Sequence, residues 1–319
     1  MRRTSSVLLA SLAASAALAQ SDLPSKRGLA YHGDDHEADN GLLTSGNSLI
    51  SWYYTWSTWP AQNLNNSVAF VPLIHGVDDA SDSQLASRLN ALPDSSTRIL
   101  AFDEPDGTTG SGGSSIEPED AAKAYIEHIV PLRDADSRSW KISHPVVTGS
   151  PVGLEWLRRF NESCYEIDDD GCPTDFVAVH WYGDALGLQS WLGSLREFYG
   201  AGSPGLKYWI TEMALPQQDA DATLAMMNQS LTFLDGADYV EGYAWFGAFR
   251  KDEANEWTGD DVSLFDDDGG LTELGALYLG GEERGFEEGQ KGEGSLGSVV
   301  SPARMLLWAA ACSAVFAAW

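Results

Sequence analysis

Two glutamates in this chain of 319 residues each follow a short apolar run. The first run, residues 99–102, is too short for a helix and ends in the sequence DEPD, which carries Asp103 and Glu104. Because proline lacks the N–H that a sheet ladder needs, a strand should end at this point. The second run, residues 208–211, leads directly into Glu212. We therefore predict two buried strands that each deliver a glutamate at the carboxyl end.

Two carboxyl groups that share one cleft can cleave a glycosidic bond. One protonates the leaving oxygen, and the other attacks the anomeric carbon or activates water. This chemistry needs no cofactor and no metal ion, and we expect neither. The alternative is that Glu104 and Glu212 only cap the helices that follow their strands.

Aromatic side chains are frequent, with 12 Trp and 11 Tyr, and many fall at the ends of apolar runs. Their flat faces suit the faces of pyranose rings, although a single aromatic residue is more often part of a core. His32, which ends the first run, joins them as a candidate substrate contact. The aromatic and histidine candidates at the other runs are Trp52, Tyr54, Trp56, His180, Trp181, Tyr182 and Trp245.

Eight such runs occur, and residues with helical spacing lie between several of them. They cover residues 28–31, 50–56, 70–74, 99–102, 146–148, 176–179, 208–211 and 240–246. Continuous apolar strands that alternate with helices predict a parallel sheet. Eight of them in about 250 residues predict an α/β fold of the single (β/α)8 TIM barrel type, with Glu104 and Glu212 closing strands four and seven. An open doubly wound sheet is the alternative, but no G-x-G-x-x-G follows the first run.

The charge and the N-terminus indicate a secreted protein. A formal net charge of −28 argues against nucleic acid and anionic surfaces as partners and fits a neutral substrate. Arg2 and Arg3 precede an apolar run that ends in Ala-Leu-Ala, so residues 1–19 are predicted to be a signal peptide. The pair Lys26 and Arg27 predicts a short pro-segment over residues 20–27.

The C-terminal region has the pattern of a lipid-anchor signal. Residues 282–304 are predicted to be a flexible linker, and residues 305–319 form an apolar tail. At about 15 residues the tail is short for a membrane-spanning helix of about 20. Small residues, a spacer and a short apolar tail predict a GPI anchor attached within residues 292–295. A plain C-terminal membrane anchor is the alternative. We expect an extracellular, monomeric protein at the cell wall that meets the membrane only through this anchor.

Cysteines and sequons fit that location. Cys312 lies in the tail that anchoring would remove, so Cys164 and Cys172 are predicted to form one local disulfide. Asn-x-Ser triplets predict glycosylation at Asn65, Asn161 and Asn228.

Six segments together resemble glycoside hydrolase family 128, which comprises fungal and bacterial endo-β-1,3-glucanases and cell-wall-associated fungal homologues. They are LLTSGNSLISWYYTWS, FVPLIHG, ILAFDEPD, FVAVHWYG, YWITEMA and VEGYAWFGAF. The resemblance covers residues 28–281 and implies a retaining endo-β-1,3-glucanase on a (β/α)8 barrel. Glu104 would then be the general acid/base and Glu212 the nucleophile.

The resemblance also assigns roles to other candidates. It implies that His180, Trp181 and Tyr182 contact the sugar or the nucleophile, and that Trp245 forms an aromatic platform under the reactive sugar. The family usually has Asn immediately before the acid/base, where this chain has Asp103. An asparagine amide can donate to a sugar hydroxyl, whereas an ionised aspartate only accepts.

Two further functions remain open at this point. A glucan-binding wall protein that has lost turnover is favoured by Asp103 and by the anchor, and opposed by Glu104 and Glu212. A β-1,3-glucan transglycosylase would use the same intermediate with a sugar acceptor in place of water.

Overall fold

A computed structural model of the chain describes residues 23–33, 36–64, 67–135, 138–200 and 205–293. The predicted signal peptide, the apolar tail and the sequon asparagine Asn65 lie outside these residues. Strands and helices alternate along most of the described chain.

The strands are short, and almost all of their residues are buried, as expected for a parallel sheet covered by helices. They are β1 (Arg27–Ala30), β2 (Trp52–Tyr54), β3 (Ala69–Phe70), β4 (Leu73–Ile74), β5 (Arg98–Asp103), β6 (Lys141–Val146), β7 (Phe176–Tyr182), β8 (Lys207–Ala214) and β9 (Val240–Trp245).

The helices lie between the strands, and none in the described part of the chain has the length and apolar character needed to cross a bilayer. They are α1 (Glu37–Leu43), α2 (Val77–Ala80), α3 (Leu85–Asn90), α4 (Pro118–Ala124), α5 (Pro151–Ile167), α6 (Ala185–Phe198), α7 (Ala220–Gly236) and α8 (Glu273–Leu279).

The sheet is parallel and curls so that β1 and β9, the first and last strands in the chain, pair with each other. Its order is β3-β2-β1-β9-β8-β7-β6-β5-β4. This order follows the chain without the reversal that defines an open doubly wound sheet, so that alternative is excluded. The predicted run at residues 70–74 is divided: β3 pairs with β2, β4 pairs with β5, and Val71 and Pro72 lie between them. Both edges of the sheet therefore belong to one short stretch of chain.

Two indole rings fill the inside of the curl. The rings of Trp52 and Trp209 are fully buried, with centroids 4.6 Å apart. Gly28 and Gly242 lie against them, and a Cβ at these positions would come within 2.1 Å of Trp52 and 2.7 Å of Trp209. Only glycine leaves room for rings of this size. The inside is therefore packed, and a site must lie beyond it at the carboxyl ends of the strands.

The sixth strand begins earlier than the sequence predicts. The apolar run suggests a strand over residues 146–148, whereas β6 spans Lys141–Val146. His144 and Pro145 interrupt the apolar pattern, which hides the first part of the strand. Pro145 is tolerated because the register of β6 against β5 shifts beside it, where the ladder lacks regular hydrogen bonds.

Lys26 and Arg27, the predicted processing pair, are part of the folded domain. The Lys26 Nζ donates to the carbonyls of Leu234, Asp235 and Ala237 at the end of α7, at 2.8, 3.0 and 2.9 Å. A cation at this place also complements the helix dipole. Cleavage after Arg27 would remove these contacts together with the first residue of β1.

Part of the predicted linker also packs on the domain. Among residues 282–293, Phe286 is buried. The N–H of Leu271 donates to the Gln290 carbonyl at 2.9 Å, and the N–H of Gly289 donates to the Leu271 carbonyl at 2.7 Å. The described fold therefore continues past the predicted boundary at residue 281.

The predicted disulfide is confirmed. Cys164, near the end of α5, is bonded to Cys172 in the segment before β7, with a Cα–Cα distance of 5.4 Å. Two sequon asparagines lie on helices: Asn161 is half-buried on α5, and Asn228 is exposed on α7. Glycosylation at these positions stays a prediction.

Removing the disulfide should destabilise the domain without changing the site. The bond closes a loop with a sequence separation of 8, so a Cys164→Ser/Cys172→Ser variant should lose about 2–3 kcal/mol of unfolding free energy. Urea unfolding of the variant and of the wild type, with and without reductant, measures this loss. A variant as stable as the oxidised wild type would contradict the prediction.

Candidate active site

The carboxyl end of β5 has an irregular backbone. Phe102 and Glu104 adopt φ values of 43° and 36°, and the register against β6 shifts between Ala101 and Asp103. The Glu104 N–H donates to the Val146 carbonyl at 2.7 Å, which holds this conformation. In a regular strand successive side chains point to opposite faces. Here the irregularity lets the consecutive residues Asp103 and Glu104 line the same cavity.

This cavity lies at the carboxyl ends of the strands and has a volume of about 1020 Å³. Its walls combine carboxyl groups, aromatic rings and backbone from the loops that follow most of the strands. The lining residues are His32, Trp56, His75, Asp103, Glu104, Gly110, Ser111, Gly112, Thr148, Gly149, Ser150, Tyr182, Glu212, Phe246, Asn255, Glu256 and Trp257.

Glu212 is held by three hydrogen-bond donors. Its Oε1 accepts from the Tyr54 hydroxyl at 2.6 Å and from the Trp56 indole N–H at 2.7 Å, and its Oε2 accepts from the Tyr182 hydroxyl at 2.5 Å. Burial, and then the charge of Glu212, keep the pKa of both tyrosines well above the usual range, so both hydroxyls remain donors. A group that accepts three bonds and makes none as a donor fits an oriented carboxylate.

His180 links the two glutamates. Its Nδ1 lies 2.8 Å from Glu104 Oε1 and 3.4 Å from Glu212 Oε2, and its side chain is fully buried. Burial is the largest single effect on its pKa and lowers it. The charge of Glu212 and the hydrogen bond with Glu104 are the largest opposing effects, and the neighbouring carboxyl groups together raise the pKa of His180 to about 10. The ring is therefore an imidazolium at neutral pH.

The position of His180 limits the distance between the two glutamates. One nitrogen contacts an oxygen of each, so these oxygens are separated by at most the sum of the two distances, about 6.2 Å. Inverting glycosidases space their carboxyl groups by about 6.5–9.5 Å, and retaining ones by about 5–5.5 Å. These two oxygens thus lie closer together than the carboxyl spacing of about 6.5 Å at which the inverting range begins.

Asp103, His180 and Glu212 are also the residues that could hold a metal ion, since their ligand atoms lie within 4.8 Å of one another. An ion there would compete with the tyrosine and tryptophan donors that already occupy both oxygens of Glu212. The donor set therefore fits a hydrogen-bonded cluster better than a metal centre.

The aromatic candidates of β2 have three different positions. Trp56 lines the cavity, as expected of a substrate contact. Tyr54 is fully buried and reaches Glu212 only through its hydroxyl. Trp52 lies deeper, with its indole N–H donating to the Lys26 carbonyl at 3.0 Å, so it belongs to the packed interior. Tyr54 therefore positions Glu212, and Trp52 does not reach the cleft.

Trp181 and Trp245 point away from the cavity because side chains alternate along a strand. On β7 the neighbours of Trp181 face inwards, whereas its indole N–H donates to the Asp184 carbonyl at 2.9 Å outside the site. Trp245 is fully buried and donates to the Val262 carbonyl at 2.8 Å. The expected platform at Trp245 is thus corrected: the next residue, Phe246, lines the cavity.

Other predicted contacts lie where a substrate would meet them. His32 is exposed at the cavity and packs on Phe249, with ring centroids 5.5 Å apart. Tyr182 lines the cavity and contacts the exposed ring of Trp257 at 4.5 Å between centroids. Trp257 was not predicted, because it lies in a long loop after β9 and follows no apolar run.

His75 and Asp106 also went unpredicted. His75 follows β4 and lines the cavity, and its Nε2 donates to the Gly112 carbonyl at 3.0 Å. Asp106 accepts from the N–H of Thr148 at 3.0 Å and from its hydroxyl, which ties the loop after β5 to the one after β6. The ending of a run in His75 and the third acidic residue of DEPD were the signals available in the sequence.

Solved structures share this fold. An endo-beta-1,3-glucanase of glycoside hydrolase family 128, subgroup IV, from Lentinula edodes is 26% identical with a TM-score of 0.63, and the match covers 79% of this chain and 98% of that one. A curdlan-specific exo-beta-1,3-glucanase of subgroup III from Blastomyces gilchristii, in complex with glucose, is 25% identical with a TM-score of 0.60, covering 80% and 97%. Residues 28–278 also match the family model described as Glycosyl hydrolase catalytic core. The chain belongs to glycoside hydrolase family 128.

Among known proteins, this family 128 chain is similar to Alkali-sensitive linkage protein 1 of Schizosaccharomyces pombe, with 31% identity over 267 residues. The match covers 81% of this chain and 45% of that protein. The chain thus spans about half the length of this relative.

Two buried histidines of this family 128 chain should have opposite charge states. At pH 7 we expect His180 to be an imidazolium, whereas burial, partly offset by the Cys172 carbonyl, lowers the pKa of His144 to about 4 and keeps it neutral. Long-range ¹H–¹⁵N NMR spectra between pH 5 and 9 distinguish the two rings. The contribution of His180 to the free energy of unfolding should be fully present below about pH 6.5 and lost as the pH rises towards 10, because folding raises the pKa of His180. Titration of His180 near 6.5 would refute this assignment.

Proposed function

We propose that this chain is a retaining endo-β-1,3-glucanase in which Glu212 is the nucleophile and Glu104 the general acid/base. The observation that carries the proposal is the contact of one His180 nitrogen with both glutamates at the ends of β5 and β8. It keeps one oxygen of each glutamate within about 6.2 Å of the other, and a spacing below the inverting range supports a covalent intermediate.

The two glutamates differ in ways that suit their proposed roles. Glu212 is fixed by three donors, so its oxygens are oriented for attack on the anomeric carbon. The Glu104 side chain is 15% exposed, and among the described residues only His180 forms a hydrogen bond with it, which leaves an oxygen free to exchange a proton. An acid/base must lose and regain its proton in each turnover, whereas a nucleophile must stay ionised.

The reaction follows from these positions. The Glu212 carboxylate attacks the anomeric carbon, and the bond to the leaving oxygen breaks as Glu104 transfers its proton to that oxygen. Water then attacks the glycosyl–Glu212 ester and gives a proton to Glu104, now a carboxylate. The carboxylate of Glu212 and the proton on Glu104 are both restored.

Relatives of known activity support the substrate. The two family 128 structures are a beta-1,3-glucanase that cleaves internally and one that cleaves from an end. We choose internal cleavage for this chain, as in the relative from Lentinula edodes. The proposed scaffold is a (β/α)8 barrel, which results if β3 and β4 are counted as one strand.

The proposed setting is the cell wall. The predicted signal peptide, the GPI signal and the sequons support it, as does the disulfide, since such bonds persist in oxidising compartments. A monomer that acts on wall β-1,3-glucan, attached to the membrane only through its lipid, is the form we propose.

Replacing either glutamate should abolish turnover. Glu212→Gln and Glu104→Gln should each lower kcat on laminari-oligosaccharides by about 10³-fold or more, since each glutamate has its own role in the reaction. The exposed residue Glu197 on α6 provides the matched control, and Glu197→Gln should keep wild-type activity. Product masses and anomeric NMR follow the reaction, and the first product should retain the β configuration.

Other outcomes would select a different function. An inverted first product would refute the retaining mechanism. Binding of laminari-oligosaccharides by the wild type without any cleavage would indicate a glucan-binding wall protein. Products longer than the starting oligosaccharide would indicate transglycosylation.

A further inference from the structure

Asp103 is a buried carboxyl group with little to balance a charge. The residue is 3% exposed, and its Oδ1 accepts no hydrogen bond from any described residue. His180 Nε2 is 3.9 Å away, too far for a hydrogen bond, and has no hydrogen-bond partner of its own within the described part of the chain. An ionised carboxylate without donors is costly to bury.

The groups around Asp103 do not supply the missing donor. His75 Nε2 lies 4.0 Å from Asp103 Oδ2, but its proton is directed to the Gly112 carbonyl. On its own segment, Asp103 faces the acidic side chains of Glu104 and Asp106.

The remaining neighbours come from three other strands. From β8 it faces Glu212, and from β7 His180, which contacts both glutamates. The hydroxyls of Tyr54 on β2 and Tyr182 on β7 donate to Glu212 and are not available to Asp103. One imidazolium thus stands among several carboxyl groups, and a charge on Asp103 would add to an excess of negative charge.

We propose that Asp103 keeps its proton in the working protein and uses that O–H as a hydrogen-bond donor to a sugar hydroxyl in the cleft. Asp103 lines the cavity beside Glu104, so a sugar bound there lies within its reach. A neutral carboxyl group offers one hydrogen-bond donor and also acceptor lone pairs. An asparagine side chain likewise offers both donors and an acceptor. The contact to sugar rests on the proposed function, whereas the protonation does not.

The electrostatic balance agrees with this geometry. Burial is the largest effect and raises the pKa of Asp103 well above its usual range. His180 opposes the rise, while Glu212, Glu104 and Asp106 add to it.

The first test concerns the proton and needs no substrate. In the unfolded chain Asp103 has a pKa near 4, and in the folded protein a higher one. Between these two pKa values the carboxyl group has lost its proton in the unfolded chain but keeps it in the folded protein. A rise in pH from about 4 towards the raised pKa therefore lowers the free energy of unfolding. Neither Asp103→Asn nor Asp103→Ala titrates at this position. Relative to both variants, the unfolding equilibrium constant of the wild type should grow as the pH rises from 4 to 6, by up to about tenfold per pH unit.

Urea unfolding of the three proteins at several pH values in this window measures the effect. Two variants are used so that a change in packing, which does not vary with pH, is separated from titration. A stability difference that is the same at every pH would overturn the protonation of Asp103.

The second test concerns the donor and uses laminari-oligosaccharides at pH 5. Asp103→Asn, which keeps a donor, should retain kcat/KM within a few-fold, whereas Asp103→Ala should lose about tenfold. Wild-type kcat/KM in Asp103→Ala would overturn the contact with the sugar. If the pH-dependent stability difference is found but the wild type cleaves no glucan, the proposed hydrolase function fails and the protonated Asp103 stands.

Discussion

The site depends on a fully buried imidazole that lies among carboxyl groups. His180 contacts Glu104 and Glu212 through one nitrogen and faces Asp103 through the other. The ring of His180 is fully buried, so its positive charge is balanced by these carboxyl groups and not by water. The same contact fixes the spacing of the two glutamates. The irregular end of β5 and the donors around Glu212 position the carboxyl groups around this ring. Displacing the ring would remove the contact that the two glutamates share.

The curl of the sheet makes that arrangement reachable. Tyr54 lies on β2 and Glu212 on β8, and β1 and β9 lie between those strands in the sheet. Their hydrogen bond therefore crosses the interior instead of following the ladder, which requires a curled sheet. The indoles of Trp52 and Trp209, tilted against each other, fill the space directly below. Packing inside the curl and orientation of the carboxylate are thus two results of the same curvature.

Patterns along the chain are sufficient to predict the parallel sheet, the positions of both glutamates and the disulfide. Each rests on local information: a run that ends in an acidic residue, or two cysteines close in sequence. The direction in which a side chain points does not rest on local information, as Trp181 and Trp245 show. Both stand beside residues of the cavity, but a shift of one position along a strand reverses the face. Trp257 and the donor shortage at Asp103 depend on contacts between distant segments, which a single sequence does not display.

The division of one strand into β3 and β4 has a mechanical consequence. Each piece has two residues, and Pro72 between them offers no N–H to either neighbour. β3 and β4 form no ladder with each other, so here only the chain itself joins the two edges of the sheet. Beside it lie β2, whose end carries Tyr54 and Trp56, and β5, whose end carries Glu104. We expect the largest fluctuations of the sheet at this break between β3 and β4. The width of the cleft between the donors of Glu212 and Glu104 should vary with these fluctuations.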